Sequence, residues 1–240
     1  RIHEFMSLDN HQRDFSFLDR LVHGGGSEIE LENDILLNVE NSEDESYSGG
    51  IEIDIDGLTL EGNGHSIDAQ CLVRIFNVTG KNVTIRNVIF KNGFCQIGSA
   101  INNSGDLMLE DSAFEENTAD VGGAINNCGR LAAKGLQLIK NTAKWHGGAI
   151  NNDEEGVMDV EASVMGQNRA VTDCGGAINN NSQLSIKESM LERNTARLGG
   201  GAIENNGELK IEQSALNENS AEFAGAIENN RNLTIKESHL

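Results

Sequence analysis

The 240-residue chain contains no proline. Proline removes a hydrogen-bond donor from a sheet, so its absence suits a chain of continuously paired strands. Aromatic residues make up only 4% of the chain, with one Trp and one Tyr. Stacking platforms for sugar rings are therefore scarce. Trp145 is the one aromatic side chain that we expect to be exposed, in a packing or corner role more than as a sugar contact.

Basic residues are also few, with 18 Lys and Arg against 38 Asp and Glu, which gives a net charge of −20. This balance disfavours nucleic acid and anionic membrane surfaces as partners, because both require basic side chains. No apolar run is long enough to cross a bilayer, so we expect no membrane insertion. No signal peptide follows Arg1, which indicates either a removed leader or a fragment.

The four cysteines are too few for a disulfide scaffold, and no CxxC pair indicates a zinc site. We expect all four to be small buried apolar residues. The positions are Cys71, Cys95, Cys128 and Cys174. Cys71 and Cys95 lie 24 residues apart and could therefore stack on neighbouring turns.

A Gly-Gly-Ala-Ile-Asn-Asn motif recurs through the second half of the chain, as in residues 122–127 and 147–152. Its central isoleucines are spaced by 24, 25, 28, 25 and 24 residues, at Ile101, Ile125, Ile150, Ile178, Ile203 and Ile227. A sustained period of this length is typical of a solenoid. The paired glycines before each isoleucine predict a tight corner, which needs a positive φ or the absence of a Cβ.

Apolar pairs such as Leu107/Leu109 recur at the same phase, as Leu131/Ala133, Met158/Val160, Leu184/Ile186, Leu209/Ile211 and Leu233/Ile235. Each repeat therefore predicts about three short strands without a helical stripe. We expect an all-β chain, a right-handed parallel β-helix of about 24–28 residues per coil over residues 27–240. Phe15, Leu18, Leu21 and Val22 lie on one helical face, so residues 1–26 form the expected N-terminal cap.

Two asparagine columns are predicted at corners of the coil. The first lies two residues after each isoleucine, which places it on the inward face, at Asn103, Asn127, Asn152, Asn180, Asn205 and Asn229. The second contains Asn117, Asn141, Asn168, Asn194 and Asn219. Stacked amides can donate to one coil and accept from the other, so both columns are interpreted as structural. Asn126, one residue from the first column, is expected to be exposed.

A charged column follows the second apolar position of each repeat. Its sign alternates from coil to coil, at Glu110, Lys134, Glu161, Lys187, Glu212 and Lys236. In-register parallel strands would otherwise place like charges side by side. We interpret this charge ladder as control of register on a solvated face, with a binding stripe as the alternative.

Candidate chemical sites are weak. The acidic loop at residues 38–50, the pair Asp54 and Asp56, and the cluster Asp153–Glu155 could attract cations, but none has calcium-loop spacing. We therefore expect no cofactor, and calcium is the one ion left open. His65 and Asp68 could form an acid–base pair, although a turn role is favoured.

Two motifs carry a family resemblance. The repeated Gly-Gly-Ala-Ile with Phe-x-x-Asn at Phe114–Asn117 resembles the repeats of chlamydial polymorphic outer-membrane proteins. The block Gly50–Gly93 resembles the adhesin-like surface proteins of methanogenic archaea. The first residue of Phe-x-x-Asn changes to Leu or Met in later repeats, so the match is looser there. The resemblance implies a right-handed β-helix, secretion and display at the cell surface.

The favoured function is a non-catalytic adhesin-like or structural module, which presents an acidic surface to glycans or proteins of another cell. The alternative is a carbohydrate-active lyase or hydrolase, which would need a walled cleft and a pair of acid–base residues. Repeat lengths that differ by at most 28 − 24 = 4 residues leave little room for such walls.

The last residue, Leu240, falls at a core position of an unfinished coil. An unfinished coil leaves strand edges open to pairing. This predicts that the solenoid continues beyond Leu240, or that its end packs against a partner.

Overall fold

The structure is a computed structural model that describes residues 14–37 and 47–240. The chain winds into a parallel β-helix, and each coil adds one strand to each of up to four sheets. Neighbouring strands pair in parallel and in register in all four sheets. The predicted all-β solenoid is therefore confirmed, while its right-handed sense stays a prediction from the crossover rule.

Sheets 1 and 2 are the first two sheets that the chain enters in each coil. Sheet 1 contains nine strands, namely β1 (Glu28–Glu30), β4 (Thr59–Glu61), β7 (Val83–Arg86), β11 (Asp106–Glu110), β15 (Arg130–Lys134), β19 (Val157–Glu161), β23 (Gln183–Lys187), β27 (Glu208–Glu212) and β30 (Asn232–Lys236). Sheet 2 contains eight, namely β2 (Ile35–Leu36), β5 (Ser66–Asp68), β8 (Ile89–Lys91), β12 (Ala113–Glu115), β16 (Gln137–Ile139), β20 (Val164–Gly166), β24 (Met190–Glu192) and β28 (Ala215–Asn217).

Sheets 3 and 4 complete the coil. Sheet 3 is short and has five strands, β9 (Phe94–Ile97), β13 (Thr118–Val121), β17 (Thr142–Ala143), β21 (Arg169–Ala170) and β25 (Thr195–Ala196). Sheet 4 has eight strands, β3 (Ile51–Ile53), β6 (Phe76–Val78), β10 (Ile101–Asn103), β14 (Ile125–Asn127), β18 (Ile150–Asn152), β22 (Ile178–Asn180), β26 (Ile203–Asn205) and β29 (Ile227–Asn229). The central coils thus hold four strands and not the expected three.

Strand alternation sets the core. In β11, Leu107 and Leu109 are buried while Met108 between them is 43% exposed. The predicted apolar columns pair residue by residue, as Leu107 with Leu131 and Leu109 with Ala133. A continuous apolar core therefore runs along the axis of the solenoid.

The corners between sheets are turned mainly by left-handed residues that are not glycine. Asp111 (φ 45°) and Ala162 (φ 49°) lie between sheets 1 and 2, and Glu116 (φ 55°) and Lys140 (φ 58°) follow sheet 2. Each costs about 1–2 kcal/mol in the left-handed region, and the paired strands on both sides of the corner hold it there. The paired glycines serve a different turn, before sheet 4, where Gly122 has φ 60°.

The predicted N-terminal helix is α1 (Phe15–Val22). Asp14 caps it, because its side chain accepts the backbone N–H of Phe17 at 2.9 Å. Phe15, Leu18 and Val22 are fully buried, and the helix packs against β2 and β3 of the first coil. No helix among the described residues has the length and apolarity needed to cross a membrane.

Apolar residues of the final coil are less covered than their equivalents. Ile235 is 36% exposed and Leu240 is 56% exposed, whereas Ile211, one coil earlier, is fully buried. The predicted continuation or end-to-end packing of this coil stays a prediction.

Candidate functional site

The first asparagine column lines the end of sheet 4, as predicted. Asn103, Asn127, Asn152, Asn180 and Asn205 are fully buried, whereas Asn229 in the last coil is exposed. From Asn103 to Asn205, each Nδ2 donates to the Oδ1 of the asparagine in the next coil, for example from Asn103 to Asn127 at 2.8 Å and from Asn152 to Asn180 at 2.8 Å. We call this set the inner column. Its amides point toward the C-terminal coils.

The second predicted column is also hydrogen-bonded throughout. Asn117 Nδ2 donates to Asn141 Oδ1 at 3.0 Å, and the same contact links Asn141 to Asn168, Asn168 to Asn194 and Asn194 to Asn219. Each Oδ1 also accepts the backbone N–H of the preceding asparagine, as from Asn117 to Asn141 at 3.1 Å. The donors of these buried amides are therefore satisfied, which indicates a structural corner and not a reactive site.

The charge ladder has the predicted register but few ion pairs. Glu110, Lys134 and Glu161 pair in successive strands, as do Lys187, Glu212 and Lys236. Lys134 Nζ lies 3.8 Å from Glu161, and Lys236 Nζ lies 3.6 Å from Glu212. Lys187 instead contacts the adjacent Glu188 at 3.4 Å. Such exposed pairs each contribute about 0–1 kcal/mol, and control of register by the charge ladder stays a prediction.

An additional asparagine column, which we call the outer column, lies on the opposite face of sheet 4. Asn179 donates to Asn151 at 2.7 Å, Asn151 to Asn126 at 2.7 Å, and Asn126 to Asn102 at 2.9 Å. The column continues through Asn77, which donates to Glu52 Oε2 at 2.7 Å. Its amides therefore point toward the N-terminal coils, opposite to those of the inner column.

The expected exposure of Asn126 is wrong, because it is only 3% exposed. The turn formed by the paired glycines folds over the outer face of sheet 4. At Gly122, an added Cβ would meet Ile125 O and lie 3.1 Å from the Asn151 Cβ. Only glycine allows this approach at a positive φ, and the approach covers the outer column.

The outer column ends where the sequence changes from Ile-Asn-Asn to Ile-Glu-Asn. Glu204 stands in register with Asn179, and Glu228 follows it in the next coil. An ionised carboxylate has no hydrogen to donate, so Asn179 Oδ1 has no hydrogen-bond partner although it is buried. The change from asparagine to glutamate between the repeats, at position 204, is the sequence signal that could have indicated this region.

His146 lies beside Glu204. Its Nδ1 is 3.3 Å from Glu204 Oε2, in a geometry that is not that of a hydrogen bond, and its Nε2 is 3.4 Å from Asp173 Oδ2. Glu204, and then Asp173, raise the pKa of His146 above its ordinary value, against burial, which lowers it. Burial, with the charge of Glu204, raises the pKa of Cys174 to about 12, so this thiol stays protonated at neutral pH.

Sheet 3 presents an apolar groove of about 400 Å³, and Phe94, Ala119, Lys144 and Val171 are among the residues that line it. Phe94 is 52% exposed and Val171 is 37% exposed. We call this feature the sheet 3 groove. Gln96, Thr118, Asp120 and Thr142 provide polar groups along the same groove.

Trp145 extends this face, and its predicted exposure is confirmed at 43%. Its backbone N–H donates to Asp120 O at 2.9 Å, which continues sheet 3 into the next coil. Lys144 Nζ lies 5.1 Å from the centre of the indole ring. The face therefore combines exposed apolar rings with polar and charged groups.

His65 and Asp68 do not pair with each other, and Asp68 has the favoured turn role. His65 Nδ1 lies 3.4 Å from Asp34, while Asp68 accepts the backbone N–H of Gln70 at 2.8 Å and the side chain of Asn92 at 3.0 Å. Asp68 thus fixes a turn and does not act on His65.

The candidate cation ligands are separated. Asp56 accepts the backbone N–H of Lys81 at 2.7 Å, Asp54 lies 3.6 Å from His23, and Asp153 accepts the N–H of Glu154 at 2.9 Å. Within residues 14–37 and 47–240, no group of three or more His, Cys, Asp or Glu side chains is arranged to hold a metal ion. Most of the acidic loop, at residues 38–46, lies outside the described residues.

The cysteines are all free thiols. The expectation that all four are buried is wrong, because only Cys174 is buried, whereas Cys71 is exposed and Cys95 and Cys128 are half-buried. Cys71 follows the strand of its coil in a left-handed turn (φ 61°), which directs it away from the core.

No family model matches the chain, and no match was found among the curated proteins or among the solved structures.

Proposed function

We propose that this protein is a non-catalytic binding module of the cell surface or of a secreted protein, and that it binds a glycan of another cell along the sheet 3 groove. The observation that carries the proposal is the apolar groove of sheet 3, where Phe94 is 52% and Val171 37% exposed, with the 43% exposed Trp145 beside the groove residue Lys144. Exposed apolar residues grouped on one face of a protein are typical of a binding surface.

The groove has the composition of a ligand site. Small-molecule sites are concave and mostly apolar, with a few polar groups that orient the ligand. Phe94 and Val171 provide apolar surface, while Thr118, Asp120 and Thr142 provide hydroxyl and carboxylate groups that can bond sugar hydroxyls. Stacked parallel strands repeat these groups at about 4.8 Å, which suits an extended chain ligand.

The other parts of each coil form a rigid scaffold for the groove. The inner column, the Asn117 column and the apolar core fix each coil against its neighbours. Ligand sites on rigid sheets lose little conformational entropy on binding. The net charge of −20 favours solubility and disfavours binding to anionic polymers, so we expect neutral or cationic glycans as ligands.

The proposal is tested with immobilised wild-type protein and a panel of plant, microbial and host polysaccharides, with and without calcium. Retained ligand and released oligosaccharides are both measured by mass spectrometry. The Phe94→Ala variant should reduce retention at least 10-fold, because it removes an exposed ring that lines the groove. Trp145→Ala should also reduce retention, because its ring lies against the groove residue Lys144. The matched control is Met108→Ala, which removes an equally exposed side chain from sheet 1.

Retention that is equal in all variants would locate binding elsewhere and contradict the role of the groove. Released oligosaccharides would contradict a non-catalytic module and favour the carbohydrate-active enzyme. Retention of no polysaccharide from the panel would contradict a glycan as the ligand class.

A further inference from the structure

Three buried side-chain atoms of the described residues lack a hydrogen-bond partner, and all three belong to one small region. They are His146 Nδ1, Asn179 Oδ1 and Glu204 Oε2. Asn179 and Glu204 are in-register neighbours on β22 and β26. His146 Nδ1 lies 3.3 Å from Glu204 Oε2. His146 Nδ1 and Glu204 Oε2 thus face each other without a hydrogen bond, and Asn179 Oδ1 has no partner. Buried polar atoms are nearly always hydrogen-bonded, so this group of three points to a ligand that they share.

The amides of the outer column share one orientation, and this orientation places the Oδ1 of Asn179 on the side of Glu204. Its Nδ2 donates backward to Asn151 Oδ1 at 2.7 Å, so its Oδ1 faces forward to the strand of Glu204. Asn179 is only 4% exposed, and water therefore has little access to it. A buried carbonyl oxygen that faces a carboxylate needs a donor or a cation between them.

We propose that His146, Asn179 and Glu204 form a binding site for one divalent first-row transition-metal ion. One imidazole nitrogen and two oxygens suit such ions better than calcium, which prefers oxygen ligands alone. Two ligand atoms of a tetrahedral Zn²⁺ with bonds of about 2.0–2.1 Å lie about 3.3–3.4 Å apart. The distance between His146 Nδ1 and Glu204 Oε2 fits this separation, and it is too long for a well-formed hydrogen bond.

Asp173 has the position of a carboxylate that orients a metal-binding histidine. Its Oδ2 lies 3.4 Å from His146 Nε2, on the side of the ring opposite Glu204. Metal-binding histidines usually donate their second ring N–H to such a group, and a shift of a few tenths of an ångström would bring this contact within hydrogen-bond distance. The side chain of His146 is 35% exposed, so a metal ion could reach the site from solvent and keep a water ligand. This site does not depend on which ligand the sheet 3 groove binds.

The test uses the full chain after removal of metals with EDTA. Zn²⁺ and Co²⁺ are titrated at pH 8, because metal ions and protons compete for histidine nitrogens. We expect one bound ion per chain, a higher melting temperature with Zn²⁺, and a tetrahedral visible spectrum with Co²⁺. Calcium at the same ionic strength should leave the melting temperature unchanged.

The key variant is Glu204→Asn, which removes a ligand and restores the amide column. Its new Nδ2 can donate to Asn179 Oδ1 as Asn179 donates to Asn151. It should therefore fold without metal at least as well as the wild type, and bind Zn²⁺ at least 10-fold more weakly. His146→Gln should lose binding similarly, and Asp173→Asn should weaken it about 10–100-fold through loss of orientation.

The matched control is His65→Gln, because His65 also lies 3.4 Å from an aspartate but none of its atoms is buried without a partner. Its Zn²⁺ affinity should equal that of the wild type. Wild-type protein without a Zn²⁺-dependent melting shift would overturn the proposal, and so would Glu204→Asn with unchanged affinity. Equal loss in His65→Gln would indicate adventitious binding by surface histidines and also overturn it.

Discussion

Replacement of Asn152 by alanine should destabilise the protein strongly, because this side chain is fully buried within the inner column. Asn152 Nδ2 donates to Asn180 Oδ1 at 2.8 Å and to Gln183 O at 3.0 Å. Without these donors, Asn180 Oδ1 keeps only a 3.4 Å bond from the Ser182 N–H. Each buried polar group left unpaired costs about 1–3 kcal/mol. The two acceptors together predict a loss of about 2–6 kcal/mol in the free energy of unfolding.

The measurement is urea unfolding followed by circular dichroism and by the fluorescence of Trp145. Coincident transitions are needed, because repeat proteins can unfold in parts. The matched control is Asn229→Ala, in the same column but at its exposed end, where the loss should stay below about 1 kcal/mol. Equal small losses in both variants would refute the reasoning that the column stabilises the coils through buried amides.

Further predictions concern other parts of the solenoid. Asn126→Ala should cost about 2–4 kcal/mol in the same assay, because the outer column is buried and Asn151 Nδ2 would lose its 2.7 Å acceptor; a loss below about 0.5 kcal/mol would contradict this. Ile178→Asp should abolish cooperative folding, since it places an unpaired charge in the core, and a native-like circular dichroism spectrum would disprove the core position. Lys134→Glu should lower the free energy of unfolding by less than about 1 kcal/mol, with a larger loss at low salt. A loss that does not depend on salt would contradict an electrostatic contribution from the charge ladder. Native Cys174 should resist alkylation at pH 7.5 while exposed Cys71 reacts, as measured by peptide mass spectrometry, and equal labelling would contradict the burial of Cys174.

The fold was predictable because the repeats have a nearly constant length, which shows which residues of successive coils stack in a column. Leu107, Asn103 and Asn117 recur at constant phase, and a constant phase in stacked strands means contact between equivalent residues. The helix at Phe15–Val22 was predictable from a different periodicity, because its apolar residues recur at helical spacing and form one face that must be buried.

The outer column and the proposed metal site were not predictable by the same reasoning. Strand alternation places Asn126 outward, and its burial results from a glycine turn that packs over the sheet. His146 reaches Glu204 across an intervening coil, and no local pattern encodes that contact. The change from asparagine to glutamate at position 204 was visible, but its meaning required the direction of the amides in the outer column.

The head-to-tail asparagine columns also affect how such a chain can evolve. Each coil offers its successor the same donors and acceptors that it receives from its predecessor, as Asn127 does between Asn103 and Asn152. Whole coils can therefore be duplicated or deleted by unequal recombination without creating an unmatched amide at the junction. Insertion of a single residue inside a strand shifts the later side chains of that strand to the other face of its sheet. Selection should thus tolerate variation in the number of coils and reject most single-residue length changes within strands.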